Sequence, residues 1–332
     1  MPNIEEHALR AIEERVFPGC VIGVIQSGQR TVLPFGSLTY SADSPRVTEN
    51  TVYDIASVTK SIPTASLVLD TIAAGHLALT DPVVKYLPHL QNHFDATIED
   101  LLRYRVNGVQ MSALSFASAD VIESDIFASG FSAPAGESQY TNLPAYLLGL
   151  ILERVLGESL DAVAQRKLFS RFDMNRATFF PDSIPTEQIA PTEIDTRRGI
   201  VCGLPHDESA YVFAKAGRAA GHAGLFSTAP DLLNFFEPLL AGEELVILAG
   251  AQRGLGWQVG ESYFMGNHSS VHTFGKTGFT GCSVLCDTGR GVALVILSNR
   301  TYPKRPIDAT STSSAINVFR SDIADIVLSG AL

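Results

Sequence analysis

Apolar residues recur at helical spacing at both ends of the chain. The first residues predict a helix that ends before Pro18-Gly19, with apolar positions at Ile4, Ala8, Leu9, Ile12 and Val16. Residues 311–328 predict a closing amphipathic helix, with apolar positions at Ile316, Val318, Phe319, Ile323 and Ile326. Just inside these helices, β-prone runs predict strands at 20–25, 31–35, 254–260, 271–276, 280–286 and 292–298.

The middle of the chain has mainly helical periodicity. It predicts a long helix from Ser57 to Gly75 and further helices at 98–104, 118–126, 143–156 and 160–172. Pro63 lies inside the long helix and predicts a bend or a local 3₁₀ turn there, because proline has no backbone N–H to donate. Residues 184–220 are rich in Pro, Thr, Arg and Gly, which predicts a long irregular segment with binding loops.

The simplest architecture pairs the N-terminal hairpin with the C-terminal strands in one antiparallel sheet. Both terminal helices then pack on that sheet, and the helical block is inserted between its strands, which is a mixed α/β (α+β) fold. We expect one domain over 1–332, composed of an α/β subdomain (1–56 and 205–332) and a mainly helical subdomain with long loops (57–204). A chain of 332 residues with 45% hydrophobic content can bury such a core.

Charge and hydropathy narrow the class of protein. The net charge is −11, and Lys and Arg form no cluster, so the chain lacks the basic surface of a nucleic-acid binder. The longest apolar run, 145–152, is too short to span a bilayer. The N-terminus is acidic and no apolar export signal follows it, so we expect a cytoplasmic protein, although a leader removed by processing would leave the same sequence. Neither the charge nor the hydropathy of the sequence determines the oligomeric state.

The sequence predicts no metal site and no cofactor. Neither a zinc spacing nor the disulfide framework of a small secreted domain is matched by the four cysteines, which are Cys20, Cys202, Cys282 and Cys286. We expect reduced thiols in the core. His206-Asp207 and His222 lack the paired helical spacing of metal ligands, and loop histidines with ordinary hydrogen bonds are the expectation there.

The segment 56–60, Ala-Ser-Val-Thr-Lys, contains the first candidate chemistry. Ser57 stands where a helix N-cap would stand, which is a common structural role for serine. A capping box would place Glu or Gln three residues later, whereas this chain has Lys60 there, where the helix dipole disfavours a cation. Residues three apart share a helix face, so Lys60 can reach the Ser57 hydroxyl and activate it as a nucleophile.

Two further motifs follow, each of which occurs once: Tyr-Thr-Asn at 140–142 and Lys-Thr-Gly at 276–278. With Ser-x-x-Lys in this order, they resemble the serine β-lactamase and penicillin-binding-protein superfamily. The likeness is to the class C-like branch of class C β-lactamases, D,D-peptidases and family VIII carboxylesterases. Segments 53–60, 221–228, 274–281 and 297–300 share the resemblance, which therefore covers nearly the whole chain. It implies a serine β-lactamase-like fold.

The resemblance implies catalytic roles for four residues. Ser57 would attack a substrate carbonyl and become acylated. Lys60 and the Tyr140 phenol would relay the proton, with Lys276 stabilising a tyrosinate or sharing its proton.

The resemblance also implies a substrate-binding set of Asn142, Thr277, Gly278 and Phe279. Asn142 would bind the amide side chain of the substrate, and Thr277 with Lys276 would face a substrate carboxylate. The backbone N–H groups of Ser57 and Phe279 would form an oxyanion hole.

These residues predict a serine hydrolase that cleaves a β-lactam or a related amide or peptide through an acyl-enzyme on Ser57. Esterase-like relatives often have His in place of Lys276, so Lys276 favours a substrate with a carboxylate, whereas the lack of an export signal argues against substrates of the cell wall. A family VIII-type carboxylesterase acting on short-chain esters is therefore the alternative. A non-catalytic ligand-binding relative is a second alternative. The expected partner is a small-molecule substrate, with no nucleic acid and no membrane span.

Overall fold

Six antiparallel strands form the central sheet, in the order Gln29–Gly36 (β2), Gly19–Gln26 (β1), Val292–Ser298 (β10), Ser283–Asp287 (β9), Thr273–Thr277 (β8) and Gln258–Val259 (β7). The computed structural model describes residues 2–114, 117–307 and 311–330. The N-terminal hairpin pairs with the C-terminal strands, so the predicted architecture is confirmed.

Both faces of the sheet are buried. In β1, Ile22 pairs with Leu33 of β2 and with Ile296 of β10. Successive side chains of a strand point to opposite faces, and Val21 and Ile22 accordingly belong to two separate apolar clusters. Helices α1 (Pro2–Glu13) and α11 (Ala315–Leu328) cover one face, and α8 (Ala229–Leu240) covers the other.

The remaining helices lie mainly between β2 and β7 in the chain. They are α2 (Ser66–Ala73), α3 (Ile98–Leu102), α4 (Ala119–Ser129), α5 (Leu143–Leu156), α6 (Leu160–Ala164), α7 (Glu208–Lys215), α9 (Leu245–Gln252) and α10 (Ser262–Met265). Two small sheets join this region, β3 (Tyr53–Asp54) with β6 (Phe226–Ser227) and β4 (Glu193–Asp195) with β5 (Gly199–Val201). No helix in the described ranges is both long and apolar enough to cross a lipid bilayer. The two-subdomain division stays a prediction.

The predicted helix from Ser57 is interrupted. A 3₁₀ turn, Ala56–Lys60, and a π-helical turn, Ser61–Ala65, precede α2. Ile62 has an extended backbone (φ −120°, ψ 106°), the conformation preferred by a residue before proline, so the predicted effect of Pro63 is confirmed.

The structure excludes one alternative and corrects one local interpretation. Ser57 is not a helix cap, because it lies inside the 3₁₀ turn, whose first N–H, that of Ala56, donates to the Asp54 carboxylate at 2.8 Å. The segment 184–220 is not irregular throughout, since it contains the β4–β5 hairpin and α7. Strands of three residues are too short to produce a periodicity that a sequence reader can recognise.

Candidate active site

The site is built around the turn that follows β3. Ala56 has a left-handed backbone (φ 47°), which is costly for a residue with a side chain. Ser57 comes directly after it, and the Lys60 amine lies 3.0 Å from the Ser57 hydroxyl oxygen. The structure therefore brings together the first two residues of the predicted set.

Asp54 holds this turn against two other segments, a role that the sequence reading missed. One carboxylate oxygen accepts the Ala56 N–H, and the other accepts the His206 N–H at 2.6 Å. The Asp54 carbonyl accepts the Thr280 hydroxyl at 2.7 Å. Burial raises the pKa of Asp54 to about 6, although these N–H donors oppose the rise. An aspartate two residues before a turn N–H was the available signal.

Lys60 is only 1% exposed. Its amine donates to the His222 carbonyl at 2.7 Å as well as to Ser57. Burial lowers the pKa of Lys60 to about 7, although the charge of Asp207 opposes that change. A neutral amine is thus available near neutral pH, where a general base works best.

Tyr140 lies against two buried amines. The Lys276 amine is 4.2 Å from the centre of the Tyr140 ring, and the Lys60 amine is 5.2 Å from it. Tyr140 is 51% exposed and packs on Tyr104, with ring centres 5.3 Å apart. Burial lowers the pKa of Lys276, an effect that Tyr140 opposes and the charge of Lys60 increases. The structure therefore places Tyr140 beside both amines of the predicted set.

Gly278 lets the end of β8 approach the Ser57 turn. A Cβ atom at this position would lie 2.3 Å from the Ile55 carbonyl oxygen, so no other residue fits without movement. Phe279, the next residue, lines the same cavity as Ser57. Its ring stacks on His206 at 5.6 Å, and its carbonyl accepts the Arg300 Nε–H at 2.8 Å. These contacts hold the Phe279 backbone beside the turn.

The cavity next to Ser57, about 330 Å³ in volume, is cationic. Arg300 and Arg320 line it together with Thr277 and Asn317. The Arg320 guanidinium is held by the Gly278 carbonyl at 2.9 Å and by the Asn317 side-chain oxygen at 2.7 Å. Burial lowers the pKa of Arg320 to about 9, which still leaves the group charged at neutral pH.

The sequence reading also missed both arginines. Arg320 lies four residues after Ile316 and three before Ile323, on the apolar face of the closing helix. A charged residue in such a position was the signal, because buried charges are rare without a specific partner.

Asn142 ends the loop before α5 and lines a second lobe of the cleft. Its amide donates to the Asp207 carboxylate at 3.0 Å, so part of its hydrogen-bonding capacity is used within the protein. The second lobe, about 610 Å³, has a neutral lining that includes Gly108, Met111 and Gln139. A third lobe, about 700 Å³, extends past Lys276. Tyr140 lines all three lobes.

Within the described parts of the chain, no three His, Cys, Asp or Glu side chains are grouped closely enough to hold a metal ion. The four cysteines are free thiols. Cys20, Cys282 and Cys286 are buried, whereas Cys202 is only half-buried, which differs from the predicted core position.

The protein is a serine hydrolase with a serine β-lactamase-like fold. It belongs to the Beta-lactamase family, which it matches over residues 5–315. The predicted resemblance is therefore confirmed, as is the enzyme class.

The chain is similar to proteins with several different names. The chain is 26% identical over 309 residues to a protein of Escherichia coli K12 named "Putative D-alanyl-D-alanine carboxypeptidase", covering 77% of this chain and 71% of the relative. The crystal structure of "Beta-Lactamase/D-Alanine Carboxypeptidase from Pseudomonas syringae" is 18% identical, with 100% and 99% of the chains covered and a TM-score of 0.77.

Two more structures have the same fold. "EstCE1, a hydrolase with promiscuous acyltransferase activity" is 18% identical, with 98% of each chain covered and a TM-score of 0.75. A class C β-lactamase is 17% identical, with 98% of this chain and 97% of that chain covered and a TM-score of 0.73.

Proposed function

We propose that the protein cleaves a β-lactam or a related amide or peptide through an acyl-enzyme on Ser57. The observation that carries this proposal is the 3.0 Å contact between the Ser57 hydroxyl and the buried Lys60 amine, whose pKa is about 7. As Ser57 Oγ attacks the carbonyl carbon, its proton passes to Lys60 or Tyr140. The N–H groups of Ser57 and Phe279 stabilise the oxyanion.

The later steps use the same groups, first to complete acylation and then to hydrolyse the acyl-enzyme. The proton held by Lys60 or Tyr140 goes to the leaving nitrogen as the C–N bond breaks. Water then attacks the ester carbonyl of acylated Ser57. Its proton passes through the same pair to Ser57 Oγ as the acyl C–Oγ bond breaks, which releases the acid and restores the serine. The Lys276 amine, 4.2 Å from the centre of the Tyr140 ring, helps to hold that ring in the cleft during both transfers.

The cationic cavity favours a substrate with a carboxylate. Arg300 and Arg320 line the same space as Ser57, and guanidinium groups are suited to carboxylates. The names of the Escherichia coli and Pseudomonas syringae proteins are consistent with such a substrate. Short-chain ester hydrolysis is the second candidate, favoured by the neutral lining of the lobe next to Asn142.

Mass spectrometry of the intact protein tests the acyl-enzyme. After brief exposure to a fluorescent penicillin or a fluorophosphonate, one adduct is expected, located on Ser57. Ser57→Ala is expected to form none. An equal adduct on Ser57→Ala, or no adduct on the wild-type protein with either reagent, would contradict the proposal and favour a ligand-binding protein.

Lys276→His separates the two substrate classes. Nitrocefin hydrolysis is expected to fall about tenfold more than p-nitrophenyl butyrate hydrolysis, because only nitrocefin has a carboxylate that loses a charge-assisted hydrogen bond. Lys85→His, on the surface, serves as the control and leaves both rates unchanged. Equal losses with the two substrates would show that Lys276 does not recognise the carboxylate.

A further inference from the structure

Asp207 lies behind the candidate active site, at the start of α7. One carboxylate oxygen accepts from the Ala210 N–H at 2.9 Å, the Ser209 hydroxyl at 2.7 Å and His222 Nε2 at 3.2 Å. The other accepts from the Asn142 amide at 3.0 Å. Since a carboxylate only accepts, His222 has its proton on Nε2, and the Asn142 amide turns its nitrogen toward Asp207.

The same cluster reaches Lys60. The His222 carbonyl accepts a hydrogen bond from the Lys60 amine at 2.7 Å, and the fully buried His222 ring packs nearly perpendicular to the Tyr146 ring. One carboxylate thus contacts the residue that holds Lys60 and the segment that contains Asn142 and Tyr140. These segments are far apart in the chain, and Asp207 joins them directly.

We propose that Asp207 is a positioning residue of this site. Through His222, it fixes the position of Lys60 relative to the Tyr140–Asn142 segment. The inference rests on the proposed function of the Ser57–Lys60 pair, and it adds a residue that touches neither substrate nor Ser57. Loss of this anchor frees the Asn142 amide and loosens the carbonyl that holds Lys60.

The charge of Asp207 has a second consequence. Burial alone would raise the pKa of Asp207, but the attraction of His222 and the donated hydrogen bonds outweigh it and hold the pKa below its usual range. The anion in turn opposes the lowering of the Lys60 pKa by burial. Removal of the anion therefore lowers the Lys60 pKa further, and the neutral amine persists to lower pH.

Other charged groups surround this pair. Lys276, on β8, lies within electrostatic reach of Lys60, and the centre of the Tyr140 ring is 5.2 Å from the Lys60 amine. Asp54, at the end of β3, and the buried ring of His206 lie within electrostatic reach of Asp207. All of these groups remain in an Asp207 variant, so a change in the pH profile reports on the Asp207 charge.

Asp207→Asn tests the proposal through the pH dependence of kcat/KM for nitrocefin and p-nitrophenyl butyrate. We expect a loss of about 10²-fold at the optimum, because misplaced catalytic groups cost this much. We also expect the acid limb to move to lower pH by about one unit. A purely structural role would lower the rate without moving the limb.

Two further variants and one measurement that does not depend on turnover test the role of the Asp207 charge. Ser209→Ala removes one hydrogen-bond donor to Asp207 but leaves the charge of Asp207 in place, so its acid limb is expected at the wild-type pH. Asp207→Glu keeps a carboxylate at this position, so its acid limb is also expected near the wild-type pH. NMR titration of isotope-labelled lysine follows Lys60 directly and is expected to show the same downward shift in Asp207→Asn. A folded Asp207→Asn with an unshifted Lys60 titration would overturn the inference. Lack of turnover by the wild-type protein would instead overturn the proposed function, and the titration would still decide the role of Asp207.

Discussion

Lys60→Met is expected to reduce the rate of Ser57 acylation by about 10²- to 10⁴-fold, the contribution of a positioned general base. Methionine has a similar length but no amine to accept the Ser57 proton. The fold is expected to persist, because the variant no longer buries an amine, which offsets the lost hydrogen bond to the His222 carbonyl. Rapid-quench mass spectrometry of the adduct with a β-lactam measures the rate.

The pH dependence gives a sharper result than the rate alone. Lys60 is neutral above its pKa of about 7 and charged below it, so wild-type acylation is expected to rise as pH increases through 7. Lys60→Met is expected to lose that rise. Lys85→Met, a change of an exposed lysine, is the matched control and keeps it. If Lys60→Met acylated at the wild-type rate, another group would have to be the base.

Gly278→Ala is expected to lower kcat by about 10²- to 10³-fold, the cost of losing one oxyanion donor. The new methyl group would lie 2.3 Å from the Ile55 carbonyl oxygen and 3.4 Å from the Ala56 Cβ, so the end of β8 has to move away from the Ser57 turn. That movement takes the Phe279 N–H with it. Steady-state kinetics with nitrocefin measures kcat and KM separately, and the loss is expected mainly in kcat.

Gly289→Ala is the matched control for Gly278→Ala. Gly289 lies between β9 and β10. A new Cβ atom there would have an Asp287 side-chain oxygen as its nearest neighbour, at a van der Waals distance of 3.4 Å. Full activity is expected there. An active Gly278→Ala would show that Phe279 does not supply an oxyanion donor, and thermal unfolding separates this outcome from general instability.

Local sequence patterns predicted most of the fold because the relevant interactions are local. The apolar spacing of residues 4–16 and 311–328 corresponds to α1 and α11, and the β-prone runs correspond to strands of the central sheet. The predicted strand 254–260 was too long, since only Gln258–Val259 pairs with β8. Pairing with a neighbour, and not intrinsic preference, decided its length.

The candidate site was predicted only in part, because only some of its contacts join residues that are close in the chain. Ser57 and Lys60 lie within one turn, so their contact follows from helical spacing. The positions of Asp54, Asp207 and Arg320 depend on hydrogen bonds to residues far away in the chain, and no spacing rule connects them. A local signal can mark such a residue, as for Asp54 and Arg320, but its distant hydrogen-bond partners become known only from the structure.

The sequence by itself determined the two terminal helices, most strands of the central sheet and the three motifs that contain Ser57, Tyr140 and Lys276, because short-range spacing and residue chemistry are written in it directly. Only the tertiary structure decided that two amines lie 4.2 and 5.2 Å from the centre of the Tyr140 ring, and that a cationic cavity opens next to Ser57. It also decided that Lys60 has a pKa of about 7, since that value depends on the burial of the amine by segments distant in the chain.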